Sequence, residues 1–132
     1  MSTSAQAVAS YFGRFAPDRA LVIVIVDDGR SIGQGTALGN GGASIIVHVG
    51  AEVAAQALVE DWVLPHEMVH SWNGKYRRPA DLTQDDFQKI ANTDLLWVYE
   101  GLTSYLGDVL SARSGLRAPD RPDACGPQRA GG

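Results

Sequence analysis

WVLPHEMVH, residues 62–70, is the stretch that decides the fold of this chain. His66 and His70 are four residues apart, so on an α-helix they lie one turn apart on the same face. Proline is tolerated in the first turn of a helix but breaks its interior, so Pro65 predicts a helix that begins near Leu64, separate from the helical pattern before it. The apolar residues around the two histidines indicate that this helix is largely buried.

The His-Glu-x-x-His spacing has a direct chemical meaning. Two imidazoles one helical turn apart can reach the same ion at about 2 Å, which is why this pattern is a known zinc motif. Glu67 is displaced around the helix, and we predict that it is the general base that accepts a proton from a zinc-activated water. A buried His-Glu-His group without a metal would be costly. The pattern therefore predicts Zn²⁺ as cofactor, with His66 and His70 as ligands.

A third protein ligand must come from elsewhere, because catalytic zinc sites usually have three. Glu100 is the preferred candidate, since it lies in the apolar stretch WVYEGLTSY, where a carboxylate is costly to bury unless it is paired or metal-bound. Gly101, directly after it, predicts a close approach of two helices. His48 is the competitor, because a site of three histidines is also chemically sound. The remaining candidates are Asp94, Asp108 and Glu60.

Helical patterns also occur at both ends of the chain. Residues 3–15 can form a short amphipathic helix that ends at Pro17. The last helix is predicted over residues 94–113, with Gly115 as its C-terminal stop. The segment between the two motifs is predicted to be mostly irregular, with a short helix around residues 85–90.

Two short runs rich in β-branched residues predict strands. LVIVIV, residues 21–26, is predicted to be buried, and SIIVHV, residues 44–49, is predicted to lie at the edge of the cleft, where it could pair with an extended peptide. Residues 29–43 between them are rich in glycine and are predicted to be a loop, or a loop with an irregular strand. The predicted fold class is therefore α+β, a short sheet packed on two long helices with zinc between them.

Composition limits the class of protein. The chain has 132 residues and a formal net charge of −4 with no basic run, which argues against nucleic acid and anionic membrane as partners. No signal peptide or membrane span stands out, so a cytoplasmic location is the default expectation. Cys125 is the single cysteine, which excludes an intrachain disulfide. We expect one domain over residues 1–116 and a disordered tail over residues 117–132. The sequence does not indicate which oligomeric state the protein adopts.

The two motifs together resemble those of a known family. WVLPHEMVHSWNGKYRRPADL, which starts at residue 62, and LLWVYEGLTSYLGDVLSARSGL, which starts at residue 95, are similar to the glycyl aminopeptidase family of gluzincin zinc metallopeptidases. The resemblance covers about residues 62–116. It implies a zincin-like catalytic domain, zinc bound by His66, His70 and Glu100, and Glu67 as the catalytic glutamate. It further implies hydrolysis of a peptide substrate, with aminopeptidase activity.

Other residues receive roles through the same resemblance. Gluzincins stabilise the oxyanion of the reaction with a Tyr or His donor, and Tyr105 is the residue predicted here, with Tyr76 as the alternative. Thr103 or Ser104 could hydrogen-bond a metal ligand. The pair Arg77-Arg78 could bind a substrate carboxylate, or could lie in a solvated loop.

The sequence departs from the family before the zinc helix. Family members carry a G-G-L-E-H-like segment whose acidic residue is expected to hold the free amine of the substrate, whereas residues 41–45 here read GGASI. Two alternatives therefore remain open. One is a zinc-stabilised module that binds peptides or proteins without catalysis, and the other is an incomplete fragment of a larger peptidase.

Overall fold

The structure is a computed structural model of the chain, and it describes residues 2–39, 43–83, 86, 88–90 and 92–117, without the side chains of residues 59 and 60. Most of the predicted tail, with Cys125, lies outside the described residues, and the predicted helix at residues 85–90 lies partly outside them. The elements in chain order are α1 (Ser2–Phe12), β1 (Ala20–Asp27), β2 (Ile32–Leu38), β3 (Ala43–Gly50), α2 (Ala55–Glu60), α3 (Val63–His70), a π-helical turn (Trp97–Gly101) and α4 (Leu102–Arg113). The predicted α+β class is confirmed.

The sheet has three strands in the order β1-β3-β2. β1 runs parallel to β3, and β2 runs antiparallel to it. The prediction that residues 44–49 form an edge strand is wrong, because the glycine-rich segment before them forms β2 and pairs with them. β3 is therefore the central strand, and β2 is the strand at the edge of the sheet that lies against α3.

The prediction that residues 21–26 form a buried strand is also wrong. β1 is at the opposite edge of the sheet, and most of its side chains are exposed, up to 67% for Val26. The helices explain this difference, because α3 packs against β2 and β3. On β3 the same kind of sequence is buried, as Ile45 and Val47 show.

Helix α3 is the buried centre of the fold. It begins at Val63, so Pro65 falls in its first turn, and it is separate from α2, as predicted. With eight residues it is not one of two long helices, as the sequence predicted, but a short helix packed between the sheet, α1 and α4. α1 ends at Phe12 because Gly13 takes a positive φ of 83°, the left-handed conformation that glycine adopts readily.

The hydrophobic core joins the inner face of the sheet to the three packed helices. Ile45 of β3, Val69 of α3 and Leu110 of α4 are each at most 2% exposed. α4 ends at Arg113, and Gly115 follows with a φ of 72°, which confirms the predicted stop. In the described ranges, no helix is both long enough and apolar enough to cross a bilayer.

Candidate metal centre and cleft

The two histidines of α3 and the glutamate of the π-helical turn come together. The Glu100 Oε2 atom lies 3.6 Å from His66 Nε2 and 3.3 Å from His70 Nε2. One ligand atom from each of the three residues lies within 4.8 Å of the others. Both imidazole side chains are at least nine-tenths buried, whereas the Glu100 side chain is 48% exposed. The structure thus brings together the three residues that the sequence predicted as ligands.

This cluster fits a tetrahedral divalent ion. Bonds of about 2.0–2.2 Å to nitrogen and oxygen place the ligand atoms of a tetrahedral zinc site about 3.3–3.5 Å apart. The two distances from Glu100 are close to that range. Two imidazoles and a carboxylate are also the donor set of known catalytic zinc sites, in which a fourth position stays open. The residues could therefore hold zinc, with a free position toward solvent.

The far nitrogen of each imidazole faces a hydrogen-bond partner. His70 Nδ1 lies 3.0 Å from the carbonyl oxygen of Asn73, which can only accept, so Nδ1 carries the hydrogen. In the neutral ring Nε2 therefore has a free lone pair, and this atom is the one that faces Glu100. His66 Nδ1 lies 3.5 Å from Ser104 Oγ. Thr103 Oγ1 is 3.5 Å from His70 Nδ1, but it donates its hydrogen to the carbonyl of Tyr99 at 2.6 Å.

Asn73 connects the segment after α3 to the π-helical turn. Its side-chain nitrogen lies within hydrogen-bond distance of the carbonyl oxygens of Val98 and Tyr99 and of Thr103 Oγ1, at 2.8, 3.1 and 2.9 Å. Its own carbonyl holds His70. Glu100 lies in the wide turn in which the N–H of Leu102 bonds to the carbonyl of Trp97, and the Asn73 amide holds the carbonyls of the two residues directly before it.

Glu67 is buried beside the cluster against strand β2. It is 5% exposed, and the backbone N–H of Ala37 donates a hydrogen bond to its carboxylate. The strand comes very close: a Cβ atom at Gly35 would lie 2.5 Å from Glu67 Cγ and 2.8 Å from Val63 Cγ1. Only glycine leaves room at this position of β2, so the sequence of the strand fixes where Glu67 lies.

Burial dominates the protonation of the site. It lowers the pKa of His66 to about 4, and the neighbouring His70 adds to this shift. It also lowers the pKa of His70, against the raising effects of the Asn73 hydrogen bond and the Glu100 charge. Burial raises the pKa of Glu67 to about 7, opposed by the Ala37 N–H. Both imidazoles are therefore neutral at pH 7, the form that binds a metal.

Tyr99 and Lys75 complete one side of the site. The Tyr99 ring stacks on the His70 ring with centroids 4.6 Å apart, and Lys75 Nζ donates a hydrogen bond to the Tyr99 hydroxyl at 3.2 Å. Gly74 makes this stacking feasible, because a Cβ atom there would lie 1.9 Å from Tyr99 Cε2. Its φ of 121° also favours glycine. Sequence reasoning missed Asn73, Lys75 and Tyr99, and only their position beside the two motifs marks them.

The cluster lies in an open cleft of about 650 Å³. β2 forms one wall, and Asp61, with a pKa that burial raises, lies at the N-terminal side of α3. Ile32 and Asp61 line both this cleft and a second, more apolar cavity. The residues around the metal cluster in the cleft are Glu67, Lys75 and Tyr99.

The other predicted site residues lie elsewhere. His48 hydrogen-bonds Asp27 at 2.6 Å on the sheet, and Asp108 pairs with Arg117 at 2.7 Å. Asp94 is exposed, and the Glu60 side chain is not among those described. Tyr105 is 64% exposed and Tyr76 49%, and neither is among the described residues that line the cleft. Arg77 lies over the Tyr76 ring, and Arg78 donates to the carbonyl of Gly74.

The close approach of the two motif helices occurs at a different glycine from the predicted one. A Cβ atom at Gly101 would meet nothing within 4 Å, so the prediction for this residue is wrong. A Cβ atom at Gly107 would lie 3.2 Å from the Cα atom of His66. Gly107 lies six residues further along, within α4, so the tight contact between α4 and α3 occurs there.

Comparison with known proteins gives one match. No curated protein sequence matches the chain. The sequence profile of the M61 glycyl aminopeptidase family matches residues 60–123, which include both motifs and all three residues of the metal cluster. This match supports a hydrolytic peptidase. It agrees with the family that the two motifs indicate: over residues 60–123 the chain is similar to M61 glycyl aminopeptidases, which is consistent with a partial catalytic core of that family.

Proposed function

We propose that this chain is a zinc-dependent metallopeptidase of the gluzincin type, with Glu67 as general base. The observation that carries the proposal is the convergence of His66, His70 and Glu100 beside a buried glutamate in an open cleft. A purely structural metal site would not need that glutamate. Aminopeptidase activity is the finer proposal, and it rests on the family match.

The chain's own residues divide the work of hydrolysis. His66, His70 and Glu100 would hold the zinc, which when bound supplies a Lewis acid that polarises a carbonyl group and acidifies water. Glu67 would accept the proton of the attacking water and pass it to the leaving amine. The Ala37 N–H orients the Glu67 carboxylate for this transfer. Tyr105 as oxyanion donor stays a prediction.

Strand β2 supports an extended substrate. It pairs with β3 on one side, and residues 32–37 line the cleft on the other. The free backbone groups of such an edge can pair with an extended peptide, and this gives affinity without demanding particular side chains. A peptide bound along β2 would pass Glu67, which lies against Gly35.

The substitution Glu67→Gln tests the general base. Glutamine cannot accept the proton, so hydrolysis of glycyl and alanyl amides should fall by about 10²–10⁴-fold while the zinc content of the purified chain is unchanged. Turnover is followed by release of the chromogenic amine, and zinc by elemental analysis.

Glu52→Gln is the matched control, because Glu52 is exposed and pairs only with Arg30 among the described residues. It should change neither quantity. An active Glu67→Gln variant would exclude the general-base role. Stoichiometric zinc without hydrolysis by the unmodified chain would instead favour the non-catalytic, zinc-stabilised module.

A further inference from the structure

We propose that Lys75 and Tyr99 form a carboxylate-binding subsite beside the metal cluster, and that the chain prefers peptides that place a carboxylate there. The carboxylate would belong to an acidic side chain next to the cleaved bond or to the C-terminus of a short peptide. The proposal deepens the proposed peptidase function and rests on it. The subsite would give the chain a preference for carboxylates that the glycine-rich segment before α3 does not account for.

The hydrogen bond between the two side chains leaves two donors free. An ammonium group can only donate, so the Tyr99 oxygen accepts at 3.2 Å, and the hydroxyl hydrogen must point elsewhere. Within the described ranges no other group accepts that hydrogen. Lys75 Nζ has further N–H groups of its own. The Tyr99 hydroxyl and the Lys75 ammonium thus offer two unused donors 3.2 Å apart, a separation that suits the two oxygens of a carboxylate.

The charge of Lys75 is available to a ligand. Of the described residues that line the cleft, Lys75 alone carries a fixed positive charge, and no described carboxylate lies within ion-pair distance of it. Arg30 and Arg117, by contrast, are paired with Glu52 and Asp108. A carboxylate entering the cleft would therefore meet a cation that is in no described ion pair and that acts on Glu67 only at longer range.

The position of the pair relates it to the reacting bond. Tyr99 stacks on His70, so its ring lies next to the metal cluster, and Lys75 bonds to its hydroxyl. Lys75 lies just beyond the C-terminal end of β2, where a Cβ atom at Gly39 would be 3.0 Å from Lys75 Cδ, whereas Glu67 lies against Gly35 within the strand. The subsite is therefore on the Gly39 side of Glu67, along the path of a peptide that follows β2.

The pair is held in place before any ligand binds. The Tyr99 ring is fixed between the His70 ring and the backbone at Gly74, and the N–H of Lys75 bonds to the carbonyl of His70 at 3.1 Å. Rigid donors lose little entropy on binding, which strengthens recognition. Such an arrangement favours a specificity element over a solvated surface lysine.

The first experiment compares isosteric substrates with the zinc-loaded chain. Glutamyl and glutaminyl amides differ only in the carboxylate, so kcat/KM should be at least about tenfold higher for the glutamyl compound, the effect of a hydrogen bond to a charged group. A second pair, alanyl dipeptides with a free and an amidated C-terminus, distinguishes a side-chain carboxylate from a terminal one. Equal kcat/KM within both pairs overturns the subsite and leaves the peptidase function standing.

Variants assign the preference to residues. Lys75→Met should reduce the preferred ratio to near one, Tyr99→Phe should reduce it in part, and Lys75→Arg should retain part of it. Arg77→Met is the matched control, because Arg77 is exposed and contacts the Tyr76 ring. If Arg77→Met removes the preference and Lys75→Met does not, the Lys75 subsite is wrong.

A binding measurement keeps the test independent of turnover. Calorimetry on zinc-loaded Glu67→Gln protein should show tighter binding of the glutamyl than of the glutaminyl amide, and Lys75→Met in that background should abolish the difference. Equal affinities would overturn the subsite even if no substrate is hydrolysed. Absence of hydrolysis together with a carboxylate preference would count against the peptidase function alone.

Discussion

Asn73 is not one of the candidate metal ligands, but it contacts both segments that carry them. Its amide nitrogen holds two carbonyls of the π-helical turn, and its backbone carbonyl orients His70. The ligands come from two segments about thirty residues apart, and Asn73 is hydrogen-bonded to both. We infer that it is a positioning residue for the pair His70 and Glu100.

The substitution Asn73→Ala should weaken zinc binding by about 10–100-fold, the usual effect of removing a group that orients a metal ligand. The measurement is a competition titration against a chelating indicator, which does not depend on activity. Asn92→Ala is the control, since the Asn92 side chain bonds only to the N–H of Asp94 among the described residues. Unchanged zinc affinity in Asn73→Ala, with the fold retained, would show that the network is dispensable.

For individual residues, the sequence predicts the candidate metal ligands but not the side chains that position them. His66 and His70 are visible because helical periodicity alone places them on one face, and Glu100 because a carboxylate in an apolar stretch needs a partner. Asn73, Lys75 and Tyr99 act through contacts with residues distant in sequence, and such contacts leave no periodic trace. An asparagine after a helix predicts a turn and nothing more.

At the scale of elements, the packing of α3 against α4 depends on one glycine. A Cβ atom at Gly107 would press on the Cα, Cβ and N atoms of His66 at 3.2–3.3 Å, and backbone atoms of a buried helix cannot move aside easily. At Gly101 the same atom would meet nothing within 4 Å. The two positions therefore allow the same substitution to be compared in one helical segment.

Gly107→Ala should lower the free energy of unfolding by about 1–3 kcal/mol, the usual cost of overpacking a core. Gly101→Ala should instead leave it unchanged or raise it by about 0.4–1 kcal/mol, because alanine restricts the unfolded chain more than glycine does. Urea unfolding followed by circular dichroism measures both. Equal effects of the two substitutions would contradict the packing described for α3 and α4.

The strands show why element-level prediction was only half correct. Residues 21–26 and 44–49 have the same β-branched composition, yet the first is an exposed edge and the second is the buried centre. Composition predicts that a strand forms, whereas its place in the sheet depends on β2. β2 contains two glycines that admit Glu67 and His48 side chains close to the backbone, so it has no hydrophobic pattern to recognise.

At the scale of the whole molecule, a small core and a metal site act together. The sheet has three strands, and the helices cover mainly two of them, so the apolar area that folding buries is modest. The candidate metal ligands lie on α3, which packs against the sheet, and on the turn before α4. An ion bound there would tie these elements together, and the folded state should gain stability from it.

Zinc should therefore raise the midpoint of thermal unfolding of the unmodified chain. Free zinc at 1,000 times its dissociation constant stabilises a folded state by about 4 kcal/mol, provided that the unfolded chain does not bind it. For a domain of this size each kcal/mol shifts the midpoint by about 2–4 °C or somewhat more, so the expected rise is on the order of 10 °C.

Glu100→Ala removes one candidate ligand from the exposed side of the cluster and should lose most of the rise. Asp108→Ala is the control and should retain the rise, because the Asp108 carboxylate pairs with Arg117 instead. Scanning calorimetry with zinc and with chelator measures the shift. A cooperative transition that is the same in both conditions would show that the cluster does not stabilise the fold through a metal, and the absence of any transition would favour the fragment alternative.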